Sequence, residues 1–241
     1  MTSGGDEQVV ATRSALVAAA TERLLGTLRA APDAWDAPSM LPGWTRGHVA
    51  THVARNADSF TWMLDGAAAD EVREQYPGGA PTRAAAIDAG AARSGADLLA
   101  DVERSAARFA AACSRVEPGV WSRTVRATTA DIPAGQLLWS RLREVEVHHA
   151  DLGLGFGPAD WSAGFVAEEL PLRVGGLAVR LPRGTAVRLV AADGTDAWEV
   201  GVGPASVTVG GPRALLLGWL MGRDPGSGLQ APAGLPTLAP W

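Results

Sequence analysis

The chain of 241 residues has no lysine, one cysteine, one tyrosine and four histidines. With Cys113 alone, an intrachain disulfide and a thiolate-rich zinc cluster are both excluded, so any metal must be held by nitrogen and oxygen. No apolar run approaches the roughly 18 to 20 residues that span a bilayer, and the start MTSGGDEQVVATR is too polar and acidic for a signal peptide. No membrane partner is therefore expected, and the expected compartment is the cytoplasm. The net charge is -5, with arginines interspersed among acids, so the sequence offers no concentrated basic surface and no nucleic-acid partner is expected. All 21 basic residues are arginine, which together with abundant alanine and glycine follows GC-rich coding rather than function. Nothing in the composition sets an oligomeric state.

What is present suffices for a packed core, since 47% of the residues are hydrophobic. Over about residues 7–31, Val10, Val17, Ala20, Leu24 and Leu28 recur at helical steps of three, four or seven. The stretch APDAWDAPSMLPGW reads as a loop, and Thr45 offers an oxygen to cap a second helix over about 46–66. After the break YPGGAP, Thr82 caps a third helix running toward Glu117, with Gly90 and Gly95 as weak points. A PGVW turn and an extended arm from Trp121 to Thr128 follow. IPAGQLL then opens a fourth helix that ends near Asp151, with Gly153 as its stop. Four amphipathic helices joined by loops predict a four-helix bundle over residues 1–155. Past GLGFGP the pattern changes to a helix over about 163–179, three strand-like runs (AVRLVAA, AWEVGV and SVTVG) and an apolar helix around 214–221. These predict a smaller α+β domain over residues 156–241, and the fold class of the whole is α+β.

The histidines fall into two clusters, His48 and His52 in GWTRGHVATHVARN, and His148 and His149 in SRLREVEVHHADLG. Glu144 precedes His148 by four residues, which at about 3.6 residues per turn stacks both on one helix face. A glutamate and a histidine from one helix, with a histidine from another, make a three-ligand divalent-metal site with positions open for substrate. On the second helix the apolar stripe is Val49, Val53, Phe60 and Leu64. His52 lies about 90° from its centre and His48 about 130°, so His52 faces the bundle more. On the fourth helix, Leu138, Leu142, Val145 and Leu152 form the stripe, Glu144 and His148 flank it, and His149 sits near its middle as a core residue. Asp151 either orients His148 through its carboxylate or is a solvated acid at a helix end. The same residues also fit a plainer reading, of core histidines satisfied by hydrogen bonds and an i,i+4 ion pair on a helix surface. Trp44, Trp62, Trp121 and Trp139 read as core aromatics, and Cys113 as an inert thiol.

The stretch LPGWTRGHVATHVARNA, followed about eighty residues later by LWSRLREVEVHHADLG, resembles the mycothiol-dependent maleylpyruvate isomerase family within the DinB-like bundle superfamily. The resemblance extends over most of the chain, including LMGRDPGSG. It implies a DinB-like metal-binding four-helix bundle with a mixed C-terminal domain, in which His52, Glu144 and His148 are similar to the family's divalent-metal ligands. It also implies that Arg223, in GRDPG, is similar to an arginine presented to the active-site pocket. Without the resemblance, Arg223 reads as a cation at a helix C-terminus. The implied co-substrate is mycothiol, a low-molecular-weight thiol. Zinc is the expected metal because it stabilises thiolate over thiol near neutral pH, although two histidines and a carboxylate also serve non-haem iron. The implied reaction is isomerisation of the small molecule maleylpyruvate to fumarylpyruvate by reversible thiolate addition. Two rivals remain at this point. One is a mycothiol S-transferase acting on an electrophile or toxin. The other is a non-catalytic metal-binding module, which needs a closing ligand that only His48 or His149 is near enough in sequence to supply.

Overall fold

A computed structural model describes residues 4–33 and 35–240. They divide into two compact units, Met1–Leu154 and Gly155–Trp241. In the first unit, helices α1 (Gly4–Ala30), α2 (Arg46–Ala68), α3 (Gly79–Ala91), α4 (Gly95–Arg115) and α5 (Gln136–Asp151) surround a single apolar core. Helix α1 packs on α5, α5 on α2, α2 on α4 and α4 on α1, which closes a ring of four, while α3 leans on α2. Each stripe read from the periodicity points into this ring, and Leu24, Leu28, Val49, Val53, Leu98, Val102, Leu138 and Leu142 are all buried.

Two expected elements differ. The single third helix from Thr82 toward Glu117 is two helices, α3 and α4, with a break at residues 92–94. Ser94 takes an extended conformation (φ -60°, ψ 152°), and its hydroxyl accepts a hydrogen bond from the Asp97 backbone N–H, so a cap restarts the chain inside an otherwise helical pattern. The two weak-point glycines serve close packing. A Cβ on Gly90 would meet the Thr51 side chain at 2.4 Å, and one on Gly95 would meet the Trp35 ring at 2.2 Å. The extended arm is also shorter than expected. Trp121 belongs to a 3-10 turn over Pro118–Ser122, and only β1 (Thr124–Arg126) is strand. It pairs antiparallel with β2 (Asp131–Pro133), which takes up the Ile132 and Pro133 expected to open the fourth helix. The stop after α5 is as read, with Gly153 at φ +63°, a conformation that costs glycine little.

In the second unit, α6 (Ala163–Gly175) precedes a three-stranded sheet of β3 (Val187–Ala191), β4 (Ala197–Val200) and β5 (Val207–Gly211) in the order β4-β3-β5. Strand β3 runs antiparallel to β4 and parallel to β5. Its buried positions Val187, Leu189 and Ala191 alternate with Arg188 and Val190, the period of two that places one face on a core. Helix α7 (Arg213–Leu220) buries Leu216, Leu217 and Leu220 in the same unit. The whole is a mixed α+β architecture with seven α-helices and two small sheets among the described residues. Among those residues no helix is long and apolar enough to cross a membrane.

Candidate metal centre

The position of His52 begins with the cap of α2. Thr45 is extended, its hydroxyl accepts from the His48 backbone N–H, and its own N–H donates to Nδ1 of His48 at 3.2 Å. This reciprocal cap places His52 one turn further on, where it is 3% exposed. Helix α5 is pinned to α2 by the buried Arg141, whose Nη1 donates to the Val53 carbonyl and to Oδ1 of Asn56, both at 2.8 Å. Glu144 lies one turn along α5 from Arg141 and His148 one turn beyond it, so the two helices face one another at the level of His52.

There the three side chains converge. Nε2 of His52 lies 2.9 Å from Oε2 of Glu144 and 2.9 Å from Nε2 of His148. Oε2 of Glu144 is 3.3 Å from Nε2 of His148. Among the described residues this is the one group of three histidine, cysteine, aspartate or glutamate donors close enough together to hold a metal ion. Two imidazole nitrogens and one carboxylate oxygen suit a borderline divalent ion, and separations near 3 Å are what bonds of about 2.0–2.2 Å to one shared ion span. The far nitrogen of His148, Nδ1, is held at 2.8 Å by Oδ2 of Asp151, which is 1% exposed. Asp151 is therefore not a solvated helix-end acid. It keeps the His148 proton on Nδ1 and turns Nε2 toward the cluster, the usual support of a metal-bound histidine.

His52 is held differently. Nη2 of Arg83, on α3, lies 3.0 Å from its Nδ1. A guanidinium can only donate, so a neutral His52 in this contact carries its proton on Nε2 and shares it with Glu144. Metal ligation through Nε2 requires that proton elsewhere, so the Arg83 contact and ligation by a neutral His52 exclude one another. Burial and the neighbouring His148 charge push His52 down to about 4. Burial would also lower His148, but hydrogen bonds to Asp151 and Glu144 outweigh it and raise that ring to about 9. Glu144 is opposed by burial yet held well below the usual carboxylate range by hydrogen bonds from His148 and His52. At neutral pH the cluster thus combines a carboxylate, an imidazolium and a neutral imidazole. Binding a divalent ion here would release the extra proton of the His148 imidazolium.

The other residues singled out by sequence have separate places. His48 serves the α2 cap, and the buried His149 has Nε2 at 2.7 Å from the Thr27 hydroxyl. Cys113 is half-buried on α4, and burial pushes its thiol up to about 12. Arg223 lies in the second unit just past α7, where its Nη1 donates to the Met221 carbonyl. Sequence reasoning set aside Trp44, whose ring stacks on His48 (centroids 6.1 Å apart) and meets His52 edge-on at 5.7 Å. It also missed Arg83. The only signal was indirect, through Gly90, whose close approach to Thr51 seats α3 against the helix that carries His52.

A 550 Å³ cleft opens beside the cluster, bounded by Glu144, Arg83 and Arg143 among others. Such a size suits a small-molecule ligand.

Comparison with known proteins agrees with this architecture. The chain superposes with a TM-score of 0.87 on two crystal structures, that of the mycothiol-dependent maleylpyruvate isomerase and that of a histidine-to-alanine mutant of it. Each is 24% identical, with 96% of this chain and 97% of the other covered, so the likeness speaks for the fold. Among curated proteins none matches the sequence significantly. The family described as the mycothiol maleylpyruvate isomerase N-terminal domain matches residues 17–153, more than half of the chain and the stretch that carries all three clustered donors. On that match the chain belongs to the mycothiol maleylpyruvate isomerase family, a family named for thiol-dependent isomerisation.

Proposed function

We propose that the protein is a cytoplasmic, mycothiol-dependent cis–trans isomerase that converts maleylpyruvate to fumarylpyruvate, with a zinc ion held by His52, Glu144 and His148. The observation that carries the proposal is the convergence of Nε2 of His52, Nε2 of His148 and Oε2 of Glu144 in a chain of this family. Zinc bound there would stabilise the thiolate of a bound thiol near neutral pH and leave coordination positions for it. The chain's one thiol does not compete as a nucleophile, since burial holds Cys113 protonated.

The chemistry that follows is the thiol's own. The sulfur forms a bond to one carbon of the cis double bond, and the displaced electron pair is delocalised into the adjacent carbonyl. The former double bond is now a single bond and rotates. Return of the electron pair expels the thiolate and leaves the trans product, with no net change of proton or oxidation state. The protein's part is to hold these groups. Asp151 fixes the ring of His148 and Arg141 fixes the facing helices. In this reading the first unit is the metal-binding domain and the second supplies Arg223, whose guanidinium grips a substrate carboxylate through its two-pronged fork.

The test is turnover of maleylpyruvate by zinc-loaded protein with and without mycothiol, beside a His52→Ala control. Thiol-dependent fumarylpyruvate that disappears in the control is the expected result. Consumption of thiol by another electrophile without isomerisation would make the protein an S-transferase, and neither outcome would leave a metal-binding module.

A further inference from the structure

We propose that the cavity between α1 and α4 is a second ligand site, sharing no lining residue with the cleft at the histidine–glutamate cluster, and that it takes an apolar monocarboxylate whose head group is bound by Arg141. The proposal is independent of the isomerase reading.

The cavity has a volume of 360 Å³ and is bounded by α1, α4 and α5. It exists because small side chains face one another there. Ser14 and Ala18 on α1 meet Ala106, Ala107 and Ala110 on α4, and none of them is long enough to fill the space between two packed helices. The deep wall is apolar, formed by the buried Val17, Leu25, Phe109 and Leu138. Among the lining residues one buried side chain is charged, that of Arg141 on α5, which is 1% exposed.

That guanidinium is short of acceptors. Nη1 donates to the Val53 carbonyl and to Oδ1 of Asn56, both neutral, while Nη2 is buried without a hydrogen-bond partner. The amide nitrogen of Asn56 is a second buried donor without one. Burial pulls Arg141 down to about 10, so it remains a cation at neutral pH, and the Glu144 and Asp58 charges act on it only through space. A buried cation held by dipoles alone, with a donor left over, is costly, and a carboxylate answers both needs at once. A neutral carbonyl would supply the acceptor and not the charge. The two carboxylates among the lining residues, Glu22 and Glu103, belong to the rim, where both face Arg29, at 3.9 and 2.7 Å, and are open to solvent that screens them. An apolar tail fits the deep wall, and a second charge on the ligand would be buried there unpaired, so a monocarboxylate suits the cavity and a dicarboxylate does not.

The experiment is calorimetric titration of the purified protein with octanoate and with its neutral analogue octanamide, before and after treatment with a chelator. Wild type is compared with Ala106→Leu, which fills the cavity and leaves Arg141 in place, and with Ala111→Leu, which adds the same bulk at an exposed position of α4 outside the lining. Octanoate should bind about 10-fold or more tightly than octanamide, should lose about 10-fold or more in affinity in Ala106→Leu, and should bind Ala111→Leu as it binds wild type. Binding should also persist after chelation. Arg141→Met should bind acid and amide alike; because Arg141 also ties α5 to α2, the two alanine variants decide the matter if that protein does not fold. No binding of octanoate by wild type, equal binding of acid and amide, undiminished binding by Ala106→Leu, or binding abolished by the chelator, which would place the carboxylate on a metal, would each overturn the proposal.

Discussion

The two histidine pairs differ in how each divides its work. His48 and His52 are one turn apart on α2, yet one closes the helix cap with Thr45 and the other, 3% exposed, turns its Nε2 to Glu144 and His148. His148 and His149 are adjacent on α5, but a rotation of about 100° sends one to the cluster and the other to the Thr27 hydroxyl of α1. Residue type is shared within each pair, so helical phase decides which ring joins the cluster.

The largest test of that contrast removes the rings one at a time. His52→Ala and His148→Ala should each lose zinc on dialysis and reduce isomerisation on the order of a thousandfold or more, whereas His48→Ala and His149→Ala should retain stoichiometric zinc, as metal analysis would show. Retention of zinc and turnover by His52→Ala would abolish the distinction.

Next comes the support behind His148. Asp151→Asn keeps the shape but can present its amide to Nδ1 of His148, disturbing the tautomer that turns Nε2 inward. Zinc affinity should fall roughly 10- to 100-fold, measured by competition with a chromogenic chelator.

The third test is pH. His148, raised to about 9, must give up a proton to bind metal, so zinc affinity should fall about tenfold per pH unit below 9 until other ligands titrate. In chelator-treated protein the sign reverses. The folded state binds this proton more tightly than the unfolded chain, so the contribution is complete below about pH 6.5 and disappears as pH rises through 9. The urea midpoint of metal-free protein should therefore drop between pH 6.5 and 9, and a midpoint that rose over this range would contradict the assignment of the raised value to His148.

The smallest effects belong to groups outside the cluster. Thr45→Ala should cost about 0.5–2 kcal/mol of stability through the lost cap, with zinc content unchanged. Cys113→Ser should leave turnover unaltered, and the native thiol should resist alkylation at pH 8 because so little of it is thiolate.

Much of the site is legible in the amino-acid sequence because helices write their geometry into spacing. The i,i+4 relation of Glu144 and His148 and the phase of His52 relative to Val49 and Val53 both follow from 3.6 residues per turn. The split of α3 from α4 is harder to read. Gly90 and Gly95 stand out, but the cap formed by Ser94 competes with an apolar periodicity that continues through it. The hairpin of β1 and β2, three residues each, is too short to show a period of its own. Arg83 leaves no local trace, being one of 21 arginines on a helix outside the ring of four.

Local spacing is enough to set the helical faces, the two clusters of possible ligands and the change to a mixed α and β pattern after Gly153. These depend on residues a few positions apart, whose relative placement a helix or strand sets by its own repeat. Tertiary packing was needed to bring donors from α2 and α5 within 3.3 Å, to bury Asp151 against His148, and to reach His52 with Arg83 from a third helix. The longest of those pairings joins residues 96 positions apart, and such contacts are settled by how apolar faces close on one another rather than by any local period.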